Sequence, residues 1–391
     1  MDFRLLSQSS KLSQSLRGLL ARTTQPAAGA EDAPEGAAPV LGDTLKPLAF
    51  SPDLGRCFTE LAQAAWTRPD AAGSSGLLDA VLACEAAGRL PLERSPRSIF
   101  LLAWLARQLS AGTMLDGILL DTALALDADA TQNVRPQVFH DNGKWSLTGT
   151  YAVVEGGMDA THLLVSSSVP LTVRGVFLVH LNTSAVARKP VRYLDAARPA
   201  ASIQLDHAPV TCLDRNAHEV LNEVASIGRL LTAAELLGAS SEIMDRAIDY
   251  VGQRQQFGKP LISFQVVAHA CAELYRDVEL MRSLIYAVAS GHLDNGAPTQ
   301  EGAAQAKLLA SELAGTVADK GIHLFGAEGL RWHRGLHFLA RRINALQVLF
   351  GDRTACEELL VSIWEDRSVE GARGRASQTD AHYGVSSAAH G

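Results

Sequence analysis

Apolar side chains recur at helical spacing along the first quarter of the chain. This period predicts an amphipathic first helix over Met1–Arg22 and further helices over Pro52–Trp66, Ser75–Gly88 and Pro96–Ala111. The segment Thr23–Pro47 interrupts the pattern with many Ala, Gly and Pro residues, a composition typical of a linker. We therefore expect residues 1–116 to form an N-terminal helical domain with a linker-like insertion at 23–47.

Between Gly117 and about Leu213 the pattern changes to short β-rich runs. Asp-Asn-Gly, Gly-Gly and Asn-Thr-Ser turn signals separate these runs. A small central β domain is therefore expected over residues 117–213. Its predicted strands are Val134–Phe139, Trp145–Val154, Thr161–Ser166, Gly175–Leu181 and Ala201–Leu205.

Long helical patterns with apolar faces return after residue 214 and are joined by short polar loops. They predict an antiparallel four-helix bundle over residues 214–366, and hence an α+β, mostly helical fold. Residues 367–391 contain few large apolar side chains and are predicted to be a disordered tail. The predicted bundle helices are Ala217–Gly252, Phe264–Gly291, Thr299–Phe325 and Leu336–Trp364.

Composition narrows the possible partners of the chain. Its 391 residues are 47% hydrophobic and carry a net charge of −7 with scattered basic residues, so we expect neither nucleic-acid binding nor attraction to an anionic membrane. No stretch of about 20 apolar residues predicts a membrane span, and no apolar leader is present, so a cytoplasmic location is expected. An odd number of well-separated cysteines argues against a disulfide framework or a CxxC metal site and favours reduced core thiols. They are Cys57, Cys84, Cys212, Cys271 and Cys356.

A cationic, amide-rich turn joins the first two bundle helices. It reads Arg254-Gln255-Gln256-Phe257-Gly258-Lys259-Pro260. The guanidinium of Arg254 is a rigid fork suited to phosphate oxygens, Gln256 is an amide donor, and Phe257 offers a flat apolar face. The turn therefore predicts a phosphate site; the alternative is that Arg254 only caps the negative end of the preceding helix.

The spacing from Arg254 through Phe257-Gly258 to Phe264-Gln265 and His269 resembles the acyl-CoA dehydrogenase family. The resemblance is strong over residues 215–365 and weaker, though collinear, before them. It implies the fold of that family and the α,β-desaturation of an acyl-CoA thioester, in which a carboxylate removes the α proton and a flavin takes the β hydrogen as hydride. In the family, the corresponding Arg and Phe contact the pyrophosphate and adenine side of FAD across a subunit interface.

A second run, Ile322–Gly329, resembles the Gln-x-x-Gly-Gly-x-Gly turn of the same family, which approaches the FAD phosphate and adenosine. Gly326 keeps a glycine of that turn, whereas His323 replaces the usual Gln. Glu328 adds a negative charge that would repel a phosphate unless Arg331 neutralises it. By this resemblance the FAD-binding residues are Arg254, Gln256, Phe257, His323 and Gly326.

The residues that would hold the flavin ring are missing from their expected places. The strand that lies against the flavin in the family corresponds here to Tyr151–Val154 and lacks the usual aromatic and hydroxyl groups. The loop that supplies donors to flavin and thioester corresponds to Ala123–Thr131, which contains no glycine and almost no hydroxyls.

The catalytic glutamate is also missing. Phe350 and Gly228 stand at the two positions where family members carry it, so no catalytic residue is expected in this chain. Asp352 is an alternative base if its loop slips; its other interpretation is an N-cap for the helix that follows. Glu235 is expected to be buried in a pair with an Arg rather than to act in catalysis.

The chain keeps the residues for the adenosine-diphosphate side of FAD but lacks those for the flavin ring and the catalytic glutamate. In this it resembles the base-less subunit of heteromeric α2β2 acyl-CoA dehydrogenases of bacterial steroid degradation. The resemblance implies that a second, unlike subunit supplies the glutamate and most of the thioester pocket, that the substrate is a bulky, steroid-derived acyl-CoA, and that an electron-transfer acceptor reoxidises the flavin. Two alternatives remain open. One is a self-sufficient homotetrameric flavoprotein that uses Asp352, and the other is a non-catalytic structural paralogue.

Overall fold

The structure is a computed structural model that describes residues 51–67, 75–109, 115, 117–126, 136–169, 173–291, 298–331 and 334–383. The predicted helix Met1–Arg22 and the predicted linker Thr23–Pro47 lie outside these residues. Within these ranges, no helix combines the length and the hydropathy needed to cross a bilayer.

Within the described residues, three helices precede the sheet: α1 (Pro52–Thr67), α2 (Ser75–Gly88) and α3 (Pro96–Gln108). The first two confirm the predicted segments, whereas α3 ends before Ala111 because Leu109 is extended. The rings of Trp66 and Trp104 pack edge to face 4.9 Å apart, and Trp66 Nε1 donates to the carbonyl oxygen of Phe100. Apolar aromatic contacts therefore tie α1 to α3.

A seven-stranded sheet follows. The sheet closes into a ring through four antiparallel pairs, β2–β3, β3–β7, β7–β5 and β5–β4, and one parallel contact between β4 and β2. Outside this ring, β1 pairs with β4 and β6 pairs with β7. The short β1 and the alternating, charged β6 were not predicted, because neither has the apolar pattern of a strand. The strands are β1 (Thr122–Ala125), β2 (Gln137–Asp141), β3 (Lys144–Glu155), β4 (His162–Val169), β5 (Val173–His180), β6 (Val186–Val191) and β7 (Ala200–Asp214).

The C-terminal region is helical, as predicted. Its centre is α4 (His218–Gln253), a 36-residue helix about 54 Å long. A two-stranded hairpin, β8 (Gln255–Gln256) and β9 (Lys259–Pro260), connects α4 to the next helix. The remaining helices are α5 (Gln265–Ser290), α6 (Gln300–Phe325), α7 (Leu336–Val348) and α8 (Arg353–Tyr383).

The prediction of one continuous helix over Leu336–Trp364 was wrong. The chain breaks between Val348 and Arg353, where Phe350 (φ 57°) and Gly351 (φ 101°) have left-handed backbone conformations that cannot continue a right-handed helix. Beyond the break, α8 continues to Tyr383 and so enters the segment 367–391 for which the sequence predicts a disordered tail.

One apolar core joins the N-terminal helices to the bundle and includes Leu164, Val176 and Leu178 of the sheet. A second core fills the inside of the sheet. The proposed boundaries between the three regions stay a prediction. All five cysteines are free thiols, of which Cys57 and Cys212 are only half-buried rather than in the core.

Candidate functional site

The predicted phosphate-binding turn forms an exposed hairpin. Phe257 (φ 53°) and Gly258 (φ 78°) occupy the tip, where two positive φ angles match the two-residue turns that join antiparallel strands. Phe257 is 90% exposed although its backbone conformation is unfavourable for a bulky side chain. The ring is therefore held away from the core of this chain.

Arg254 lies where α4 ends and the hairpin begins. Its backbone N–H donates to Tyr250 O, and its carbonyl accepts from the N–H of Leu261, so both ends of its peptide are fixed. Its side chain is exposed and forms no ion pair with any residue in the described ranges. Gln256 is exposed as well. The cationic fork and the amide are thus available for an external ligand.

His323 and Gly326 lie at the end of α6. His323 is exposed in the last turn, and its carbonyl accepts from the N–H of Gly326. Gly326 has φ 59°, and an added Cβ would meet no atom within 4 Å, so the backbone at this turn is open to solvent. Glu328 pairs with Arg331 (3.2 Å) and Arg334 (3.5 Å), which confirms that a neighbouring Arg neutralises this carboxylate.

An aromatic stack links the hairpin that carries Arg254 to the turn that carries His323 and Gly326. The rings of Tyr250, one turn before Arg254, and Phe325, next to Gly326, are stacked at 4.5 Å and 20°. The guanidinium of Arg334 lies 5.4 Å from the Tyr250 ring centroid. The stack holds the ends of α4 and α6 together, so the structure brings both sets to one end of the bundle.

The two positions expected for a carboxylate base are in contact. A Cβ built on Gly228 would lie 2.3 Å from Cε1 of Phe350, closer than carbon atoms approach without a bond. Gly228 is buried within α4, and the ring of Phe350 fills the space above it. The contact leaves no room for a glutamate side chain on Gly228, and Phe350 cannot accept a proton.

A buried lysine fixes the loop that carries Phe350. Lys307 Nζ donates to the carbonyls of Gln347 (2.8 Å) and Gly351 (3.2 Å) and to Ser311 Oγ (3.0 Å). Gln347 Nε2 in turn donates to the carbonyl of Ser311. Sequence reasoning missed Lys307; a Lys set among Ala and Leu on the apolar face of its helix was the signal that could have found it.

Asp352 acts as a helix cap. Its Oδ1 accepts from the N–H of Ala355 at 2.9 Å, and its side chain is exposed at the start of α8. This is the N-cap interpretation rather than that of a slipped base. Farther along α8, Glu357 pairs with Arg353 near the surface.

A cavity of about 280 Å³ lies between α3, strand β3 and the loop that follows α7. Tyr151, Val153 and Glu155 of β3 line one wall, and Phe350 lines another. Ligand sites for small molecules usually measure roughly 300–1,000 Å³. The cleft next to the strand expected to face a flavin ring is therefore small.

A buried ionic network bounds this cavity. Glu235 is fully buried. Its Oε2 lies 2.7 Å from Arg198 Nη2, and its Oε1 lies 3.2 Å from Arg97 Nη1. Burial by itself would raise the pKa of Glu235, but Arg198, Arg97 and a hydrogen bond from Ser95 lower that pKa to about 2. This result confirms the predicted pairing of Glu235 with an Arg.

Glu155 extends the ionic network of Glu235, Arg97 and Arg198 to the wall of the cavity. Its Oε2 lies 2.9 Å from Arg97 Nη2, and the Tyr193 hydroxyl donates to its Oε1 at 3.1 Å. Burial and the neighbouring Glu155 raise the pKa of Tyr193, so the phenol stays protonated. An ion-paired carboxylate and a phenylalanine ring thus both line the cleft, and the Arg97 guanidinium lies near each of them.

Comparisons with known proteins agree with this architecture. The family model described as "Acyl-CoA dehydrogenase, C-terminal domain" matches residues 218–358. Acyl-CoA dehydrogenase IpdE2 of Mycobacterium tuberculosis is 30% identical over 178 residues, which are 45% of this chain and 52% of that protein. The chain thus spans about half the length of this curated relative and less of the next two.

Solved structures resemble nearly the whole chain. The ChsE4-ChsE5 complex from Mycobacterium tuberculosis has a TM-score of 0.74 at 20% identity and covers 94% of this chain and 99% of that one. A variant of the Tcur3481-Tcur3483 steroid ACAD has a TM-score of 0.71 at 22% identity, with 93% and 99% covered. At these identities the likeness establishes the fold alone.

Proposed function

We propose that this chain is a member of the acyl-CoA dehydrogenase family, as the match of the family's C-terminal domain to residues 218–358 supports, and that it is a subunit of an FAD-dependent acyl-CoA dehydrogenase whose active site it shares with an unlike partner. This chain contributes the adenosine-diphosphate side of the FAD site. The partner contributes the catalytic glutamate, the pocket for the flavin ring and most of the thioester pocket.

The contact between Gly228 and Phe350 carries this proposal. Gly228 and Phe350 stand in contact at the place where a carboxylate would have to remove the α proton. Neither residue can accept a proton. Among the described residues, Glu235 does not replace the missing base, because it is held ionised in a network with Arg198 and Arg97 and is fully buried.

The exposed end of the bundle fits the other half of the cofactor. Arg254 would hold a pyrophosphate with its guanidinium, and Gln256 would donate to it through its amide. Phe257 would offer its ring as an apolar face, and the open backbone at Gly326 would let N–H groups approach a phosphate. When bound, FAD supplies the acceptor for the hydride that leaves the substrate.

The chemistry of this chain is therefore binding and orientation rather than proton transfer. An exposed cationic fork and an aromatic face in a fixed hairpin are suited to hold a dinucleotide that projects toward a second subunit. The names of two neighbours, the ChsE4-ChsE5 complex and the Tcur3481-Tcur3483 steroid ACAD, each join two chains and so support a heteromer. By the same analogy the substrate is a bulky, steroid-derived acyl-CoA and the reduced flavin passes electrons to a separate acceptor.

Two alternatives are less well supported. A self-sufficient homotetramer would need Asp352 as its base, yet this carboxylate caps α8. A purely structural paralogue would not need an exposed Arg254, which forms no ion pair with the part of the chain that the structure describes, beside a strained Phe257.

Co-purification tests the proposal. We expect the chain purified alone to be colourless, and the chain co-expressed with family members encoded beside its gene to form a complex with one FAD per pair of unlike chains. The measurements are the visible spectrum and the mass by size-exclusion chromatography with light scattering. A yellow single-chain preparation with one FAD per subunit would contradict the proposal.

A further inference from the structure

A second cavity, of about 220 Å³, lies on the other side of Phe350. Leu221 and Val224 of α4 give it apolar walls, and Asn222, Arg229 and Gln300 give it polar ones. We name it the outer cavity, and we name the 280 Å³ cavity bounded by Glu155 the inner cavity.

The side chains of Phe350 and Leu126 line both cavities and so stand between them. The Phe350 ring contacts Gly228 on one side, and the Arg97 guanidinium lies 5.8 Å from its centroid. A ligand long enough to reach from the outer cavity to strand β3 must pass through the space that this ring fills.

The ring is also fixed in place. The φ of 57° at Phe350 and the bonds from Lys307 to the carbonyls of Gln347 and Gly351 hold the loop on both sides of it. A rotamer change alone would have to move the ring against α4 or against the ionic network. The Phe350 ring is therefore held between the two cavities by the fold itself.

We propose that Phe350 is a plug that excludes acyl thioesters from the cleft of this chain, and that Gly228 is the residue that makes room for it. This inference rests on the proposed function, in which the thioester binds in the partner subunit. It adds that exclusion is steric and depends on one ring, so that removing the ring would join the two cavities and create a site for an acyl chain.

Titration calorimetry of the full chain with 3-thiadodecanoyl-CoA tests the plug. The sulfur at position 3 of this thioester prevents desaturation, so binding is measured without turnover. The variants are Phe350→Ala and Phe350→Gly; the glycine removes the ring and favours the left-handed backbone of this position (φ 57°) if the alanine variant does not fold. Phe139→Ala is the matched control, because Phe139 is 41% exposed on β2 and lines neither cavity.

We expect no saturable binding to the wild type or to Phe139→Ala, and a gain of saturable binding in Phe350→Ala or Phe350→Gly. Equal binding by the wild type and the Phe350 variants would overturn the plug, and so would absence of binding in all of them. Because FAD and the partner are not required, this readout is independent of the co-purification result. Normal flavin content in the assembled complex, together with Phe350 variants of the isolated chain that bind no analogue, would refute the plug and leave the proposed function standing.

Discussion

The ring of Phe350 fills the space that a side chain at Gly228 would otherwise occupy. A Cβ on Gly228 would lie 2.3, 2.4 and 2.7 Å from three carbons of the Phe350 ring. The residues are separated by more than a hundred positions in the chain, yet they meet where α4 passes the loop between α7 and α8. They also stand at the two positions expected for a glutamate, and the Phe350 ring leaves no room for a glutamate side chain on Gly228.

Gly228→Ala should destabilise the chain by about 1–3 kcal/mol, because the added methyl group overpacks the Phe350 ring. In an ordinary helix the same change would stabilise by about 1 kcal/mol. Urea unfolding followed by circular dichroism measures the difference.

Gly252→Ala is the control in the same helix, since an added Cβ there meets nothing within 4 Å and should be neutral or slightly stabilising. In a Phe350→Ala background the effect of Gly228→Ala should change sign. Equal destabilisation by Gly228→Ala in both backgrounds would disprove the contact.

Lys307→Met should cost about 2–4 kcal/mol in stability, because the buried carbonyl oxygens of Gln347 and Gly351 and the Ser311 hydroxyl oxygen lose their donor. Lys320→Met removes an exposed ion pair with Glu273 and should change stability by less than about 1 kcal/mol. Thermal unfolding of both variants, beside the wild type, gives the comparison. Similar melting temperatures for the two variants would contradict the role of Lys307.

The sequence predicted what depends on local pattern. Helices α4, α5 and α6 follow from apolar periodicity, and the exposed turn at Phe257-Gly258 follows from residue type. The predicted helix Leu336–Trp364 ran through the break before Arg353, although Asp352 as an N-cap implied a new helix there; the bonds from Lys307 that hold this loop come from another helix some forty positions away. Only the fold brings such groups together.

The ionic network was predicted only in part, for the same reason. Glu235 was expected to pair with an Arg, but neither Arg97 nor Arg198 could be identified as its partner, because the pairs join α4 to α3 and to the loop before β7. The role of Glu155 at the wall of the inner cavity was likewise not visible in the pattern of β3, where its position simply ends the strand.

Glu235→Gln should destabilise the chain at neutral pH by about 3–5 kcal/mol, since it leaves two buried guanidinium groups without their carboxylate. The pKa of Glu235 falls from 4.5 to about 2 on folding, so its ionised form stabilises the folded state above the unfolded pKa. That contribution, about 3 kcal/mol, is lost as the pH falls through the folded pKa. The gap in unfolding free energy between wild type and variant should therefore narrow between pH 4.5 and 2.

Denaturant unfolding across this pH range provides the measurement. Glu273→Gln is the control, because this carboxylate pairs with Lys320 at the surface and its replacement should leave neutral-pH stability nearly unchanged. A constant gap between wild type and Glu235→Gln from pH 7 to pH 2 would mean that the pKa of Glu235 is not lowered by folding.

Asp352→Asn should leave turnover of the assembled complex nearly unchanged. Asn is as good an N-cap as Asp, so the bond to Ala355 is retained while the carboxylate is removed. Steady-state kinetics of the complex with its electron acceptor measures the effect. A loss of orders of magnitude, with FAD retained, would identify Asp352 as the base and favour the self-sufficient homotetramer.

Arg254→Ala should lower the FAD content of the assembled complex, because a charge-assisted contact to the pyrophosphate is worth about 1.5–3 kcal/mol, or roughly 10–100-fold in the dissociation constant. Arg254→Lys keeps the positive charge but not the two-pronged geometry, so its FAD content should lie between those of wild type and Arg254→Ala. Arg353→Ala, which removes a surface Arg paired with Glu357, is the control and should retain full flavin absorbance. The ratio of flavin to protein absorbance after gel filtration, together with the subunit ratio, separates loss of cofactor from loss of assembly. If Arg254→Ala retains stoichiometric FAD in an intact complex, the hairpin does not hold the cofactor and its exposed Phe257 must serve the subunit contact alone.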